Sequence, residues 1–410
     1  MARIPPALRH RDFRIYWTGS VLSAVGSEFT MVAMAWQVYD LTSSPLQVGL
    51  LGLGRALPQM ALSMYGGLLA DAVDRKRLML ALQFAQCAIS TSLALLTATG
   101  TISSGALFFA AVLLAFCTAL ETPSRTAVVP NLLPREDLAS AVGLSTTQRS
   151  IAMIAGPSLA GIILAVAGPT PCYVVDATSW FAMLGALLTI RQPLQIAAPG
   201  AISIQALSAG IKFVVSRQVI FAFMILNFGA TFFGSTVALL PIYARDILHV
   251  GQVELGLLYA ANSVGAIIAG TLLSTRGQVD EAGKWVLIGT SIYATCTIGF
   301  GLSHSFELSL LLLALSGAGG TVSAILRGVA NQILTPDEFR GRVASVNSVF
   351  VMGGPQLGQF ESGAIASLFN TRFSTVSGGL GALALTAGIA LLSRVRSFRF
   401  SDVATKESAF

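Results

Sequence analysis

Long apolar runs separated by short polar segments fill almost the whole chain. A run of about 20 apolar residues is long enough to cross a bilayer as a helix. The Leu, Ala and Ile stretches lack the alternation of a barrel strand, and lipid offers open backbone groups no partner. The pattern predicts an all-α membrane protein with twelve transmembrane helices, at residues 14–40, 46–70, 78–99, 104–128, 138–166, 172–191, 218–244, 252–275, 284–303, 307–333, 342–369 and 374–394.

Composition supports this membrane assignment. Only 11% of the 410 residues are charged and 54% are hydrophobic, whereas soluble domains carry about 25% charged residues. The net charge of +6 does not indicate nucleic acid, because no basic stripe interleaved with aromatic residues occurs. The four cysteines lie far apart without CxxC spacing, so they are interpreted as packing residues. We expect no cofactor and no bound metal.

The basic residues predict which side each loop faces. An even number of spans puts both termini on one side, and nineteen of the 25 Lys and Arg residues lie in the termini or in loops on that side. Only Arg245 and Arg372 lie in loops on the opposite side. By the positive-inside rule, both termini are expected in the cytoplasm, with the chain in the inner (plasma) membrane. The first apolar run is too long for a signal-peptide core and is interpreted as an uncleaved span.

One long connection divides the spans into two groups of six. The prediction is an N-terminal bundle at 1–191, a cytoplasmic linker at 192–217, and a C-terminal bundle with a short cytoplasmic tail at 218–410. Within the linker, Ile204, Leu207, Ile211 and Val215 recur at helical spacing, which predicts an amphipathic helix on the inner membrane surface. A plain polar linker is the alternative.

The two groups of spans also resemble each other in sequence. VGLLGLGRA (48–56) corresponds to LGLLYAANS (255–263), and GPSLAG (156–161) corresponds to GPQLGQ (354–359). Matches at equivalent places predict a duplicated bundle, and hence two six-helix, pseudo-symmetric bundles. Duplicated bundles with a site between them are typical of transporters.

The stretch GGLLADAVDRKR (66–77) concentrates five charges in seven residues after an almost uncharged run. It resembles the signature between spans 2 and 3 of the major facilitator superfamily, with four residues at matching positions: Gly67, Asp71, Arg75 and Lys76. Ala72 and Asp74 depart from that signature, which has an arginine and a glycine there. If Asp71 lies at the inner end of span 2 beside the start of span 11, its carboxylate meets the positive dipole end of that helix and latches the inner side. The alternative is a solvated turn that only fixes topology.

A second resemblance narrows the branch. ETPSRTAVVPNLLPREDL (121–138) and TQRSIAMIAGPSLAG (147–161) are similar to the proton-coupled efflux branch that includes the enterobactin exporter. The latter partly matches the antiporter signature of span 5, with Gly156, Pro157 and Gly161 in place and Ala160 where a glycine is usual. The chain thus resembles the major facilitator superfamily along its whole length, and this branch of it most. The resemblance implies export by proton antiport and alternating access.

Charged residues inside spans are the candidates for proton coupling, because a charge at mid-bilayer costs about 2.5–3.5 kcal/mol on insertion scales. The acids are Glu28, Glu121, Asp176 and Glu361, and the bases are Arg55, Arg125 and Arg149. Glu28 lies about 18 Å from the outer end of span 1, near the midplane, with Arg55 and Arg149 at similar depth. We predict that Glu28 exchanges a proton and that Arg55 or Arg149 biases its pKa. A static buried ion pair is the alternative.

The remaining acids carry weaker predictions. Glu121 and Arg125 are one turn apart, which favours a local structural pair. Asp176 lies a few residues below the outer surface, where it reaches water. Glu361, in a Gly-rich stretch, is placed in the cavity of the second half.

Span 7 offers a wall for an amphipathic substrate, formed by Asn227, Thr231 and Phe232, although aromatic stripes are more often packing. We interpret the chain as a secondary transporter that exports an amphipathic small molecule, a drug or a siderophore-like metabolite. The expected partners are this substrate, protons and the lipid bilayer, and the expected state is a monomer. Uptake or facilitated diffusion with the same fold is the alternative. A membrane-embedded enzyme or a channel fits less well, because no catalytic or nucleotide-binding motif occurs and a duplicated chain supplies its own pathway.

Overall fold

The computed structural model describes residues 5–63, 74–190, 204–275, 279–336 and 339–402. These residues are almost entirely helical and contain no strand. The long helices are α1 (Arg11–Thr42), α2 (Pro45–Ser63), α3 (Arg75–Ala98), α4 (Ser104–Leu132), α5 (Leu138–Ala167), α6 (Pro169–Thr189), α7 (Gln218–Phe233), α8 (Gln252–Thr275), α9 (Ala282–Leu302), α10 (Phe306–Leu334), α11 (Arg340–Leu368) and α12 (Thr371–Ala390). The linker helix, Ile204–Ser216, lies between α6 and α7.

Ten segments of the described chain are long and apolar enough to cross a membrane. They correspond to ten of the twelve predicted spans, which confirms a multi-pass helical membrane protein. The other two predicted spans are α2 and α11. The last residues of the predicted span 46–70 lie outside the described part of the chain. Helix α11 carries Arg340, Arg342 and Glu361, which lower its apolar character.

The span predicted over 218–244 is present at Gln218–Ile247, but it is not one regular helix, because α7 ends at Phe233. A 3-10 turn (Val237–Leu239), a short α-turn and a π-turn (Tyr243–Ile247) follow it. Pro241 lacks an N–H and cannot extend a regular ladder. The hydroxyl of Tyr293 donates to the carbonyl of Gly234 at 2.7 Å, so a backbone acceptor at the break is satisfied inside the protein, as lipid requires.

Polar residues at helix starts explain where several spans begin. The side chains of Ser103, Ser305 and Asn370 accept hydrogen bonds from backbone N–H groups in the first turns of α4, α10 and α12. Asp74 caps α3 in the same way, accepting from the N–H of Arg77 at 3.1 Å. Such caps satisfy N–H groups that the helix itself leaves without partners.

The chain forms two compact units, which differ from the predicted halves at two segments. Unit 1 comprises the described parts of Met1–Ser43, Leu57–Ala201 and Gly251–Ala260, and unit 2 comprises those of Ser44–Ala56, Ile202–Val250 and Ala261–Phe410. The first turns of α2 therefore belong to unit 2, and those of α8 belong to unit 1.

Glycines allow the first turns of α2 and of α8 to approach neighbouring helices closely within each unit. In unit 1, a Cβ placed on Gly161 of α5 would lie 2.8 Å from the Cα of Gly256 in α8. In unit 2, a Cβ on Gly363 of α11 would lie 2.7 Å from the Cα of Gly49 in α2. Only residues without a side chain permit backbones to meet at this distance.

The linker helix is amphipathic in its contacts. Val214 is buried, and the ring of Phe213 stacks on Phe339 with centroids 4.6 Å apart. Ile211 and Val215 are 47% and 57% exposed. The helix thus packs one side against unit 2 and leaves apolar side chains on the other, while its position on the membrane surface stays a prediction.

The last described residues are fixed to the loop before α9. The backbone N–H and hydroxyl of Ser401 donate to the carboxylate of Asp280 at 2.8 and 3.0 Å. Arg399 pairs with Glu281 at 2.9 Å. The hydrogen bonds from Ser401 lower the pKa of Asp280 below its usual value.

Candidate functional site

Helix α1 passes between α5 and α6 at the depth of Glu28. On one side, Gly26 approaches α6 so closely that a Cβ placed on it would lie 2.9 Å from the Ser179 Cβ. On the other side, a Cβ placed on Gly156 of α5 would lie 2.5 Å from the Cβ of Glu28. Glu28 itself is half-buried. The structure therefore brings Glu28 of span 1 directly against the Gly-Pro segment of span 5.

The Gly-Pro segment provides the room that Glu28 occupies. Gly156 and Pro157 are both buried within α5. Because Gly156 has no side chain, the first atoms of the glutamate side chain lie against the helix backbone. Pro157 has no N–H, so one carbonyl of the preceding turn is left without its usual helical partner. The two predicted features, the acid and the antiporter-like segment, are therefore neighbours in unit 1.

The two basic residues predicted beside Glu28 have different positions. Arg149 lies on α5 seven residues before Gly156, on the same helix face and about 10 Å along the axis. It is exposed, and no carboxylate of the described residues lies within 4 Å of it. Arg55 belongs to unit 2, whereas Glu28 belongs to unit 1. The influence of either arginine on Glu28 stays a prediction.

The role of Asp176 in proton coupling stays a prediction, but the expectation that this residue reaches water is wrong. It does not reach water, because its residue is only 1% exposed inside unit 1. Thr30 of α1 and Ser90 of α3 both donate hydroxyl hydrogen bonds to its Oδ2 atom, at 2.8 and 2.6 Å. The position of Asp176 along its span did not reveal this burial. Water is excluded here by the neighbouring helices and not by distance from the membrane surface. Asp176 joins three helices of the unit.

Glu121 forms the centre of a second buried polar cluster in unit 1. Its carboxylate accepts hydrogen bonds from Gln83 and Gln86 of α3, at 3.0 and 2.9 Å. Arg125 approaches it at 3.0 Å, so the local ion pair expected from their spacing is present. Arg125 also donates to the hydroxyl of Ser23 in α1 at 3.1 Å. The cluster links α1, α3 and α4.

In unit 2, Glu361 is half-buried on α11. Its Oε2 atom is buried and has no hydrogen-bond partner among the described residues. The predicted position of Glu361 in a substrate cavity stays a prediction.

The predicted polar wall of span 7 lies next to an arginine that sequence reasoning missed. Arg327 of α10 is 7% exposed and donates through Nη2 to the side-chain oxygen of Asn227 at 2.9 Å. Both residues line a cavity of about 210 Å³ in unit 2, together with Thr231. The signal in the sequence is simple, because Arg327 stands inside the apolar run of span 10. Phe232 stacks on Phe228 with centroids 5.6 Å apart.

The predicted gating motif is described only in part. Gly67 and Asp71 lie outside the described residues, so the latch proposed for Asp71 stays a prediction. Arg75 and Lys76 begin α3, and Lys76 donates at 2.8 Å to the carbonyl of Ile190, the residue that follows α6. Asp74, one of the two departures from the superfamily signature, is the N-cap of α3.

Comparison with known sequences assigns the chain to one family over nearly its whole length. The model of the transmembrane secretion effector family matches residues 4–409. Proteins named enterobactin exporter EntS, from Shigella boydii and Escherichia coli, are 26% identical over 393 residues. The matches cover 95% of this chain and 94% of each relative.

Solved structures with the same fold are transporters. A bacterial homologue of the iron transporter ferroportin, in an inward-facing state, superimposes with a TM-score of 0.70 at 17% identity and covers 92% of this chain and 98% of its own. A POT family transporter in complex with a conjugated peptide gives a TM-score of 0.76 at 13% identity, with 94% and 96% covered. These likenesses concern the fold alone.

Proposed function

This chain belongs to the transmembrane secretion effector family, and from that premise we propose that it exports an amphipathic small molecule in exchange for protons. The molecule is a drug or a siderophore-like metabolite, and the direction is out of the cytoplasm across the inner membrane. The related enterobactin exporters support export, and the major facilitator fold supports a small-molecule pathway. The chain and its relatives are transporters and not enzymes.

The contact between Glu28 and Gly156 carries the proton-coupling part of the proposal. An acid near the midplane is costly unless it has a role or a partner. Here it lies against the segment that resembles an antiporter signature, on a helix that contains a proline. A small shift between α1 and α5 changes the solvation of the carboxylate, and desolvation favours its protonated form. Glu28 then binds a proton in one state and releases it in another.

The helix crossings at which glycines meet are the contacts that change during alternating access. With both termini in the cytoplasm, Gly161, Gly256, Gly49 and Gly363 all lie toward the outer ends of their helices. Opening the outer side requires the crossings of α5 with α8 and of α2 with α11 to separate. At these crossings the glycines bring the helix backbones into van der Waals contact, which a relative shift of the two helices breaks.

The orientation is part of the same proposal. The basic residues support cytoplasmic termini and a cytoplasmic linker. A reporter that is active only in the cytoplasm is expected to work after Phe410 and to fail when inserted near Ser305. Activity near Ser305 contradicts the orientation.

Transport in proteoliposomes with an acidic interior tests the function. The probes are ethidium, fluorescein and Nile red, which are amphipathic and differ in charge. An antiporter accumulates a transported probe in the acidic lumen, whatever its orientation, whereas a proton symporter drives it outward. Accumulation is expected to disappear without the pH gradient. Outward movement favours the uptake alternative, and no gradient-dependent movement of any probe contradicts both.

Glu28→Gln tests the role of the acid. Because glutamine cannot exchange a proton, the variant is expected to lose accumulation against a gradient and to keep exchange of probe for probe. Glu136→Gln, in the exposed turn before α5, removes the same charge elsewhere and serves as the control. Normal coupling in Glu28→Gln rules out Glu28 as the proton site.

A further inference from the structure

Arg327 is a buried cation whose hydrogen-bonding capacity is only partly used. Its Nη2 atom donates to Asn227, but its Nη1 atom is buried and has no partner among the described residues. No carboxylate of the described chain lies within 4 Å of it. The guanidinium stays charged at any physiological pH. A buried charge without an opposite charge is costly, so the site favours an anion from outside the chain.

The surroundings of Arg327 form a small polar cavity within unit 2. Side chains from four helices line it: Asn227, Asn262, Thr290, Tyr293, Ser316 and Ser323. Some of them already use their hydrogens, since Tyr293 donates to Gly234 and Thr290 contacts Ser323 at 2.8 Å. The amide of Asn227 fixes the guanidinium plane from one side. Arg327, which carries the unused Nη1 atom, thus lines the cavity with its guanidinium held by Asn227.

The size of the cavity indicates what it accommodates. At about 210 Å³ it is smaller than the sites that enclose whole drug-sized ligands, which span about 300–1,000 Å³. It is large enough for one polar group of a ligand. The planar guanidinium suits oxygen anions, to which it donates short, charge-assisted hydrogen bonds.

We infer that this cavity binds an anionic oxygen group, a carboxylate or an ionised phenol, of the transported molecule, with Arg327 as its anchoring donor. This inference rests on the proposed transport function, and it adds a chemical class to the substrate. The neutral amide of Asn227 orients the arginine without neutralising it. A substrate that lacks an anionic oxygen leaves the arginine unsatisfied and binds more weakly.

Ligand-induced thermal stabilisation tests the inference on the full chain. The purified protein is placed in phosphatidylcholine nanodiscs, so that no anionic lipid competes, and is titrated with benzoate or with its neutral isostere benzamide. Benzoate is expected to raise the melting temperature in a dose-dependent way. Benzamide is expected to bind at least about tenfold more weakly than benzoate, because a hydrogen bond to a charged group is lost. Equal stabilisation by both compounds overturns the inference.

Matched variants separate binding at Arg327 from nonspecific effects. Arg327→Gln is expected to abolish stabilisation by benzoate, and Arg245→Gln, which removes an exposed arginine of unit 2, is expected to retain it. Stabilisation that persists in Arg327→Gln overturns the inference. If Arg327→Gln does not fold, Asn227→Asp decides: it places a carboxylate against Arg327 and is expected to raise the melting temperature without ligand and to abolish the benzoate response. An unchanged benzoate response in Asn227→Asp overturns the inference.

The test is independent of proton coupling. Benzoate binding is measured at one pH without a gradient, so it succeeds or fails whatever the direction of transport. Failure of the proteoliposome assay together with Arg327-dependent benzoate binding contradicts the antiport function and leaves the anion site standing.

Discussion

Glu28 of α1 lies directly against Gly156 of α5, and a Cβ on that glycine would come within 2.5 Å of the Glu28 Cβ. The two residues are 128 positions apart in the chain. Their contact places the acid of span 1 on the Gly-Pro segment of span 5. A larger side chain at position 156 would therefore change the surroundings of the Glu28 carboxylate.

Gly156→Ala is expected to destabilise the protein by about 1–3 kcal/mol, because the added methyl group overpacks the contact with Glu28. Gly143→Ala in the same helix is the control, since no atom lies within 4 Å of a Cβ there, and alanine favours the helix by up to about 1 kcal/mol. Thermal unfolding of both variants in one detergent measures the difference. Equal stability of the two variants contradicts the close approach of α1 and α5.

Ser90→Ala is expected to cost about 1–3 kcal/mol, because it leaves the buried carboxylate of Asp176 with one hydroxyl donor instead of two. Ser92→Ala is the matched control, since Ser92 is exposed on the same helix and donates only to the carbonyl of Ala88. Denaturation midpoints of the purified variants give the comparison. A cost for Ser92→Ala as large as that for Ser90→Ala disproves the special role of the buried hydroxyl.

Breaking the Glu121–Arg125 pair from one side is expected to be worse than removing both charges. Arg125→Gln leaves a buried carboxylate with two amide donors and no cation, at a cost of about 3–5 kcal/mol. The double variant Glu121→Gln/Arg125→Gln is expected to recover part of this loss, with a coupling of about 0.5–3 kcal/mol. A double-mutant cycle on thermal stability measures it. Strict additivity shows that the pair contributes nothing.

Attachment of the chain end at Asp280 is expected to weaken in acid. The hydrogen bonds from Ser401 lower the pKa of Asp280 in the folded state, so their contribution is present above the unfolded value of about 3.9 and is lost as the pH falls through the lower folded value. Hydrogen exchange at the Ser401 amide, corrected for intrinsic rates, is expected to accelerate in that range. Asp280→Asn is expected to exchange quickly at every pH. Slow exchange in this variant contradicts the role of the carboxylate.

The sequence alone determined where the helices lie and what class of protein they form. Runs of apolar residues decide this locally, because lipid forces each span to satisfy its own backbone hydrogen bonds. Caps such as Ser103 and Asp74 are local as well, since each bonds to a residue three positions away. The Glu121–Arg125 pair followed from one-turn spacing for the same reason.

Only the tertiary structure decided which side chains of different helices meet. The buried Asp176 accepts hydrogen bonds from the hydroxyls of Ser90 and Thr30, which lie 86 and 146 positions earlier in the chain. The position of Asp176 along its own span cannot reveal these partners. Arg327 stands in an apolar run, and its significance came from Asn227, 100 positions earlier, and from the cavity between helices. At the break after Phe233, the carbonyl of Gly234 accepts a hydrogen bond from Tyr293 of another helix. Helix formation is governed by neighbours in sequence, whereas burial and pairing are governed by neighbours in space.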